Sequence, residues 1–467
     1  MVVTIVVLLI LAGVSISLVL DKNGIIQKSK DARREYGQAK ANEQEDLSNL
    51  SDMIDEATAE PTPKVNVNTK AGDNSTINGK KGNSNNPTIP KNYIPIDTAT
   101  STWGDGNTAP SQDSVNHGLV IKDEQNNEWV WVPVDKGTLA TMYEESSDEK
   151  TLCGTTGETA VKTKLYSKTI TIGKDSNTKT ITRTEPGITN YREPDLVVGS
   201  NGLSYDAQDT YYKTILGETG TKEQLAQLFV DEYKAMIESV SKYGGFYIGR
   251  YELSEAGVQK DEQPLTNTNW YNLYKKCTEL NASEKVEARM IWGCQWDVTM
   301  NWLISSGAKT SNEVNTDSSS WGNYKGTSVK ANDRTTVLKA SGDEQKLNTG
   351  VTTFTIANNI YDLAGNCWEW TQEALSTNYR SDRGGGYSDY GSVGPASYRV
   401  DDGPGNVSYS FVRFSSHFNN KVALNSRAWA PEWREYKLKC VKSKEILIMH
   451  TFFVQERRKN EYKKNKY

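Results

Sequence analysis

The fold is decided by residues 359–374, NIYDLAGNCWEWTQEA, together with RGGGY at positions 383–387. Side chains of a strand alternate between its two faces. If the first stretch is extended, Trp368 and Trp370 therefore lie on one face, and Glu369 lies between them on the other. A carboxylate held between two large side chains has a fixed direction. The pattern predicts a strand in which Glu369 serves as a metal ligand or as half of a structural ion pair.

The composition bounds the class of protein. A chain of 467 residues is long enough for two or three domains. The net charge of −5 leaves no basic nucleic-acid footprint outside the C-terminal tail, so we expect no nucleic-acid partner. The three histidines are far apart in sequence, which argues against a histidine zinc site and against a Ser-His-Asp triad formed by neighbours. The five cysteines show no CxxC spacing.

The N-terminus is apolar. Residues 1–20 carry no charged side chain, and a helix of about 20 such residues is about 30 Å long, enough to cross a bilayer core. A cleaved secretory signal would begin with basic residues and end at a small-x-small site, and neither is clear here. We predict a single-pass helix through residues 1–20 that anchors the protein in the cell membrane, with the C-terminal domain extracellular.

This pattern, VLLILAGVSISLVL at positions 7–20 followed by NGI at 23–25, resembles the N-terminal module of type IV pilin-like proteins. The resemblance implies a transmembrane and amphipathic helix over residues 1–58. The family's leader, a basic segment ending in glycine with a glutamate five residues into the mature chain, is missing here. Two hypotheses stay open: a start that lies upstream of Met1, and a plain membrane anchor.

Composition divides the remaining chain into three parts. Residues 59–116 are rich in Asn, Thr, Lys, Gly and Ser, which predicts a flexible polar linker. Residues 117–425 have the periodicity of a folded domain. We expect a strand after position 117, another over 129–134, a hairpin near 168–184, helices over 223–242, 269–280 and 295–305, and a core strand over 354–356. Residues 426–467 form a basic tail, which fits an interaction with an acidic surface or a frameshifted end.

Four motifs follow one another in the folded part: GGFYIGRYELS at 244–254, ARMIWGCQWDVTMNWL at 288–303, NIYDLAGNCWEWT at 359–371, and RGGGY. This ordered set resembles the formylglycine-generating enzyme (sulfatase-modifying factor) family over residues 117–425. The resemblance implies an α+β fold, an elaborated C-type-lectin-like domain with little regular secondary structure. We expect tryptophans to fill its core, namely Trp131, Trp292, Trp296, Trp302, Trp368 and Trp370.

The enzymes of that family oxidise a substrate cysteine with a copper-binding cysteine pair shortly after RGG. This chain has no cysteine from Gly384 to Ser426, and other residues stand where the pair would fall. We therefore expect no copper and no enzymatic activity. Cys367, inside the GNCWEW motif, is expected to be buried filler rather than a nucleophile.

The segment 387–420 is dense in Tyr, Ser, Asp, Asn and Arg. Tyrosine gives contact area at low entropic cost, and the small polar residues give adaptable hydrogen bonds, as in antibody combining sites. The segment also resembles the diversified stretch of lectin-like variable proteins of diversity-generating retroelements. An ordinary polar loop has the same composition. The predicted contacts to an unknown glycan or protein are Tyr387, Asp389, Tyr390, Tyr398, Arg399, Asp401, Asp402, Asn406 and Tyr409.

The family resemblance also implies a structural calcium beside the GNCWEW turn. Its ligands would be the side chains of Asp362 and Glu369 and the carbonyls of Gly365 and Cys367, a hard-oxygen set that suits Ca²⁺. In the alternative, Asp362 caps a turn and Glu369 pairs with a basic residue such as Arg383.

The family's domain closes with a GFR strand, for which the nearest match here is SFVRF at 410–414, without the glycine. Together the patterns predict a membrane-anchored, surface-displayed, adhesin-like binding protein with an inactive sulfatase-modifying-factor domain. Two alternatives stay open: a cysteine oxidase of the formylglycine-generating type, and a minor pilin-like structural subunit.

Overall fold

The computed structural model describes residues 61–98, 115–135, 138, 145–153, 161–166, 169–172, 179–182, 193–196, 212–280, 286–374, 379–405, 418–419 and 422–426. The chain divides into two compact units, Met1–Pro61 and Thr62–Tyr467. The predicted membrane helix, the strand match at 410–414 and nearly all of the basic tail lie outside the described residues. Within the described ranges, no helix has the length and apolar character needed to span a bilayer.

The strands are short and antiparallel pairs dominate among them. In chain order they are β1 (Ser75–Thr76), β2 (Thr88–Ile89), β3 (Ile94–Ile96), β4 (Val120–Lys122), β5 (Glu128–Pro133), β6 (Glu145–Cys153), β7 (Val161–Tyr166), β8 (Thr169–Ile172), β9 (Lys179–Thr182), β10 (Gly245–Gly249), β11 (Val286–Met290), β12 (Val329–Lys330), β13 (Val337–Lys339), β14 (Ile356–Ala357), β15 (Ile360–Tyr361), β16 (Trp368–Ala374), β17 (Arg380–Arg383), β18 (Arg399–Asp402), β19 (Phe418–Asn419) and β20 (Val422–Ser426).

The helices are α1 (Tyr212–Leu216), α2 (Lys222–Tyr243), α3 (Trp270–Glu279), α4 (Gly293–Ser305) and α5 (Ser311–Asn315), with a 3-10 turn over Thr353–Thr355. The predicted helix over 223–242 is confirmed as α2. Thr221 caps its first turn, and Gly244 ends it in the left-handed conformation (φ 74°). The helix predicted over 295–305 begins two residues earlier. The core strand predicted over 354–356 is wrong in part, because a 3-10 turn precedes β14 there.

A six-stranded antiparallel sheet forms the centre, in the order β11-β20-β10-β5-β4-β3. The predicted strands after position 117 and over 129–134 are confirmed as β4 and β5, and the hairpin near 168–184 as β8 and β9. β5 and β10 read as continuous apolar runs because both of their faces are covered. The α+β class is therefore confirmed, with short strands and, apart from α2, short helices.

Residues 62–98 belong to the folded unit, although their polar composition predicted a linker. β3 pairs with β4, with Ile94 opposite Lys122. Val65, Ile77 and Ile89 are buried in the same core cluster as the central sheet. A few apolar side chains are enough here because they cover an existing core rather than building their own. The folded unit thus begins near position 62 and not at position 117.

A four-stranded sheet, in the order β18-β17-β16-β19, carries the region of interest. β16 confirms that the CWEW stretch is extended, and all of its residues are buried. The six tryptophans expected in the core are also confirmed there, with exposed fractions of 6% or less. β17 and β18 form a hairpin whose long connection, residues 384–398, we call the display loop.

Candidate functional site

The main chain of the display loop is held at many points. The Trp296 indole donates to Ala396 O (3.0 Å), and Ala396 N donates to the Ser318 hydroxyl (2.9 Å). The Tyr324 hydroxyl lies 2.8 Å from both Gly384 O and Gly394 O, so one buried side chain joins the two halves of the loop. Buried main-chain groups need such partners. The backbone of the loop is therefore fixed by α4 and by residues 318–325.

Two glycines of RGGGY allow the loop to close on itself. Gly385 has φ +80°, and a Cβ at this position would lie 2.2 Å from Gly394 O. Only glycine fits both this backbone conformation and this close approach. At Gly384, a Cβ would lie 2.6 Å from a carboxylate oxygen of Glu369. The motif thus brings the loop down onto β16.

Trp368 forms the floor beneath the display loop. Its indole N–H donates to Asp389 Oδ2 (2.8 Å), and the same oxygen accepts from Gly386 N (2.9 Å). Its ring centroid lies 6.0 Å from that of Tyr398. A Cβ added at Gly394 would touch the ring at 3.4 Å. The predicted contact Asp389 therefore holds the loop on its floor, with only part of its side chain exposed.

Three large side chains of the display loop face solvent. Tyr390 is 51% exposed, Val393 52% and Tyr398 37%. Val337, on β13, is also 51% exposed. Large exposed apolar groups on a fixed backbone can bury area on binding with little loss of conformational freedom. The structure therefore places Tyr390 and Tyr398, two predicted contacts, at the surface, and adds Val393, which the sequence interpretation missed.

Three other predicted contacts, Tyr387, Asp401 and Asp402, lie among the described residues. Tyr387 is half-buried, and burial, followed by the nearby Cys367 and Glu344, raises its pKa to about 12. Asp402 Oδ1 accepts from Gly403 N, and Asp401 lies in β18 opposite Ser381. The remaining predicted positions, Asn406 and Tyr409, lie outside the described residues.

Arg399 lies in a buried ion cluster, not at the surface. Arg383 contacts Asp297 (2.6 Å) and Glu373 (3.5 Å), and Arg399 contacts the same two carboxylates at 2.7 and 2.9 Å. The four side chains are at most 6% exposed. Sequence spacing cannot reveal this cluster, because Asp297 is 102 residues from Arg399. Burial, and after it the charge of Arg399, lowers the pKa of Arg383.

The four predicted calcium ligands lie in the GNCWEW turn or just before it. Asp362 Oδ2 accepts from the Thr349 hydroxyl (2.8 Å) and from Gly350 N (3.0 Å), so this carboxylate holds a neighbouring turn. Glu369 is buried beside Gly384. Over the residues that the structure describes, no group of three or more His, Cys, Asp or Glu side chains is arranged to hold a metal ion. A structural calcium here stays a prediction.

The same turn contains a hydrogen-bond centre that the sequence interpretation missed. The Asn366 amide donates to Glu252 (2.5 Å) and Leu347 O (3.2 Å), and its oxygen accepts from Asn323 (2.9 Å) and Leu347 N (3.0 Å). Glu252 also accepts from Cys367 N (3.2 Å). Asn366 stands inside the motif itself, but its partners come from three distant segments. The polar groups of this turn therefore form hydrogen bonds that hold the fold together.

Glu193 is a second missed residue, in a stretch without a functional interpretation. Its carboxylate accepts from Gly293 N and from Cys294 N (3.1 Å), at the first turn of α4. A carboxylate at a helix N-terminus is favourable, because unpaired N–H groups and the positive end of the dipole meet there. Glu193 therefore anchors the helix that carries Asp297.

Cys367 is fully buried, as expected. Burial, and after it the Glu252 carboxylate, raises the pKa of its thiol well above the usual range. A thiol with a raised pKa forms little of the reactive thiolate at neutral pH. This environment suits packing and does not suit nucleophilic chemistry.

Comparisons with known proteins leave the family open. No family model matches the chain, and no curated protein matches it. Among solved structures, the chain is similar to Treponema denticola variable protein 1, with 14% sequence identity and a TM-score of 0.23, over 39% of this chain and 85% of that chain. A TM-score this low carries no argument about fold or function.

Proposed function

We propose that this chain is a membrane-anchored surface protein that binds a glycan or protein ligand through its display loop. The lectin-like character of the domain, the extracellular placement and the lack of oxidase activity belong to this proposal. The observation that carries it is the pairing of a fixed main chain with exposed Tyr390, Val393 and Tyr398. Three large exposed side chains on one loop favour a binding role, whereas a single exposed apolar side chain such as Val337 is ordinary.

The oxidase alternative is weakened by the position of Cys367. A copper site of the family's kind needs paired, accessible thiolates. Cys367 is buried, as are Cys277 and Cys294 elsewhere among the described residues. The pilin-like alternative concerns residues 1–58, which lie outside the described residues, and gains no support here.

The test is a screen of the chain from Thr62 onward, which belongs to one compact unit, on immobilised glycans and extracellular proteins. The matched variant is Tyr390→Ser with Tyr398→Ser. We expect specific retention of one ligand class by the wild type and a loss of about thirtyfold or more in affinity for the variant, because anchoring aromatic residues contribute most of the binding energy. No retention by the wild type, or equal affinity of the variant, would contradict the proposal.

A further inference from the structure

The mouth of the display loop is formed by two arginines. Arg383 is the last residue of β17, Arg399 is the first of β18, and the two are direct partners in the hairpin. Like charges directly opposite each other destabilise a strand pair. This arrangement is therefore stable only if carboxylates lie between them.

Two carboxylates from separate elements supply that charge. Asp297 on α4 contacts Arg383 Nη2 (2.6 Å) and Arg399 Nη2 (2.7 Å), one through each oxygen. Glu373 on β16 contacts Arg399 Nε (2.9 Å) and Arg383 Nη1 (3.5 Å) through Oε2. Each arginine thus reaches both carboxylates, and the ring of contacts spans the mouth of the loop.

We propose that Arg383 and Arg399 clamp the two ends of the display loop through Asp297 and Glu373, and that this clamp sets the presentation of Tyr390, Val393 and Tyr398. Arg399 is then a positioning residue and not a ligand contact. As a statement about binding, the inference rests on the proposed function.

The clamp reaches the exposed residues through the main chain. Arg383 Nε donates to Tyr398 O at 3.0 Å, so the clamp holds the main chain of Tyr398, whose ring lies near that of Trp368. Tyr398 N in turn donates to Pro395 O (2.6 Å), and Val393 N donates to Tyr390 O (2.9 Å). A change at the mouth therefore reaches Tyr398 through one hydrogen bond and Pro395 through a second. It reaches Val393 and Tyr390 through the main chain that precedes Pro395.

The test removes one charge of each sign in the full chain, with Arg399→Met and Glu373→Met together. The buried Arg383–Asp297 pair remains complete, which avoids leaving an unpaired buried charge. The control is Arg289→Met with Glu232→Met, a partly buried ion pair (2.7 Å) that lies between β11 and α2. Amide exchange of Val393, Gly394 and Tyr398 reports the local opening of the loop.

A second readout uses an antibody fragment selected against the wild-type protein, whose binding is abolished by Tyr390→Ala with Tyr398→Ala. In the clamp variant we expect exchange at the three amides to rise about tenfold or more, and affinity for the fragment to fall by a similar factor. The control variant should leave both unchanged. A folded clamp variant with wild-type exchange and wild-type affinity would overturn the inference.

If the double change prevents folding, Arg399→Lys decides the question. A lysine keeps the charge but lacks the planar fork that reaches two carboxylates. Faster exchange and weaker fragment binding support the clamp, and wild-type values for both reject it. Because the fragment is not the natural ligand, this result is independent of the ligand screen. A positive clamp result with a negative screen would reject the proposed function alone.

Discussion

Residues 359–374 and residues 386–398 are both rich in polar and aromatic side chains, yet the structure uses them in opposite ways. In the first stretch every residue is buried, and Asp362 and Asn366 bond to protein groups. In the second stretch the main chain is held by several hydrogen bonds, while Tyr390, Val393 and Tyr398 face solvent. The side chains of the first stretch build the fold, and three large side chains of the second remain exposed to solvent.

This difference shows why a cluster of acids and tryptophans does not by itself mark a functional centre. Trp368 belongs to the first stretch and supports the second, because its indole binds Asp389. The functional proposal therefore concerns the surface that the buried stretch supports. Changes in the buried stretch should act on stability, and changes at the exposed positions should act on binding.

The largest effect is expected from Asn366→Ala. The variant leaves buried partners on Glu252, Asn323 and Leu347 without the hydrogen bonds of Asn366. At about 1–3 kcal/mol per unsatisfied buried group, we expect the free energy of unfolding to fall by roughly 4 kcal/mol. The measurement is urea unfolding followed by tryptophan fluorescence. Asn348→Ala, at an exposed position, is the control and should change it by about 0.5 kcal/mol or less. Equal losses in both variants would contradict the assignment of Asn366 as the centre of the turn.

Gly385→Ala should have a somewhat smaller effect that reaches the display loop. The added Cβ would meet Gly394 O at 2.2 Å and the backbone has φ +80°, whereas Gly342 has φ +97° with open space around it. We expect losses of roughly 3 kcal/mol at Gly385 and about 1 kcal/mol for Gly342→Ala, since only the first adds a steric clash to the cost of the left-handed backbone. Unfolding curves of the two variants give the comparison. A smaller loss at Gly385 than at Gly342 would show that the loop does not close on itself as described.

The pH dependence of stability in Asp389→Asn tests how the display loop is attached to Trp368. Burial raises the pKa of Asp389 above its ordinary value of 3.8, so the folded protein binds this proton more readily than the unfolded chain. The wild type should therefore lose stability as pH rises through the interval between 3.8 and the raised pKa. The asparagine variant does not titrate there and should lack this part of the slope. Unfolding of both proteins across the interval checks it, and identical slopes would contradict it.

Local patterns in the sequence predicted the elements that are specified locally. The helix α2 has its apolar stripe, its Thr221 cap and its terminal Gly244 within one stretch. The strands β4 and β5 are apolar runs around a polar turn. Such features depend on neighbours along the chain, which a sequence displays directly.

Features that depend on distant partners could not be predicted in this way. β3 is short, contains a proline and lies in a polar stretch, and it becomes a strand because β4 offers it an edge. Arg399 was assigned to the surface, because its partners Asp297 and Glu373 lie on other elements. Val393 was overlooked because nothing in a single sequence shows that its neighbours Gly394 and Ala396 are buried while it is not. Which residues hold the display loop and which face solvent becomes visible only in the three-dimensional structure.

The most direct test of the central claim compares two valines with nearly equal exposure, Val393 in the display loop and Val337 on β13. Either valine changed to serine should alter the free energy of unfolding by about 0.5 kcal/mol or less, because both side chains are already about half exposed in the folded protein. Affinity is measured for the glycan or protein retained by the wild type. We predict that Val393→Ser weakens binding by about tenfold, near 1.4 kcal/mol, while Val337→Ser leaves it unchanged. Equal affinities of the two variants would contradict the claim that the display loop is the binding surface.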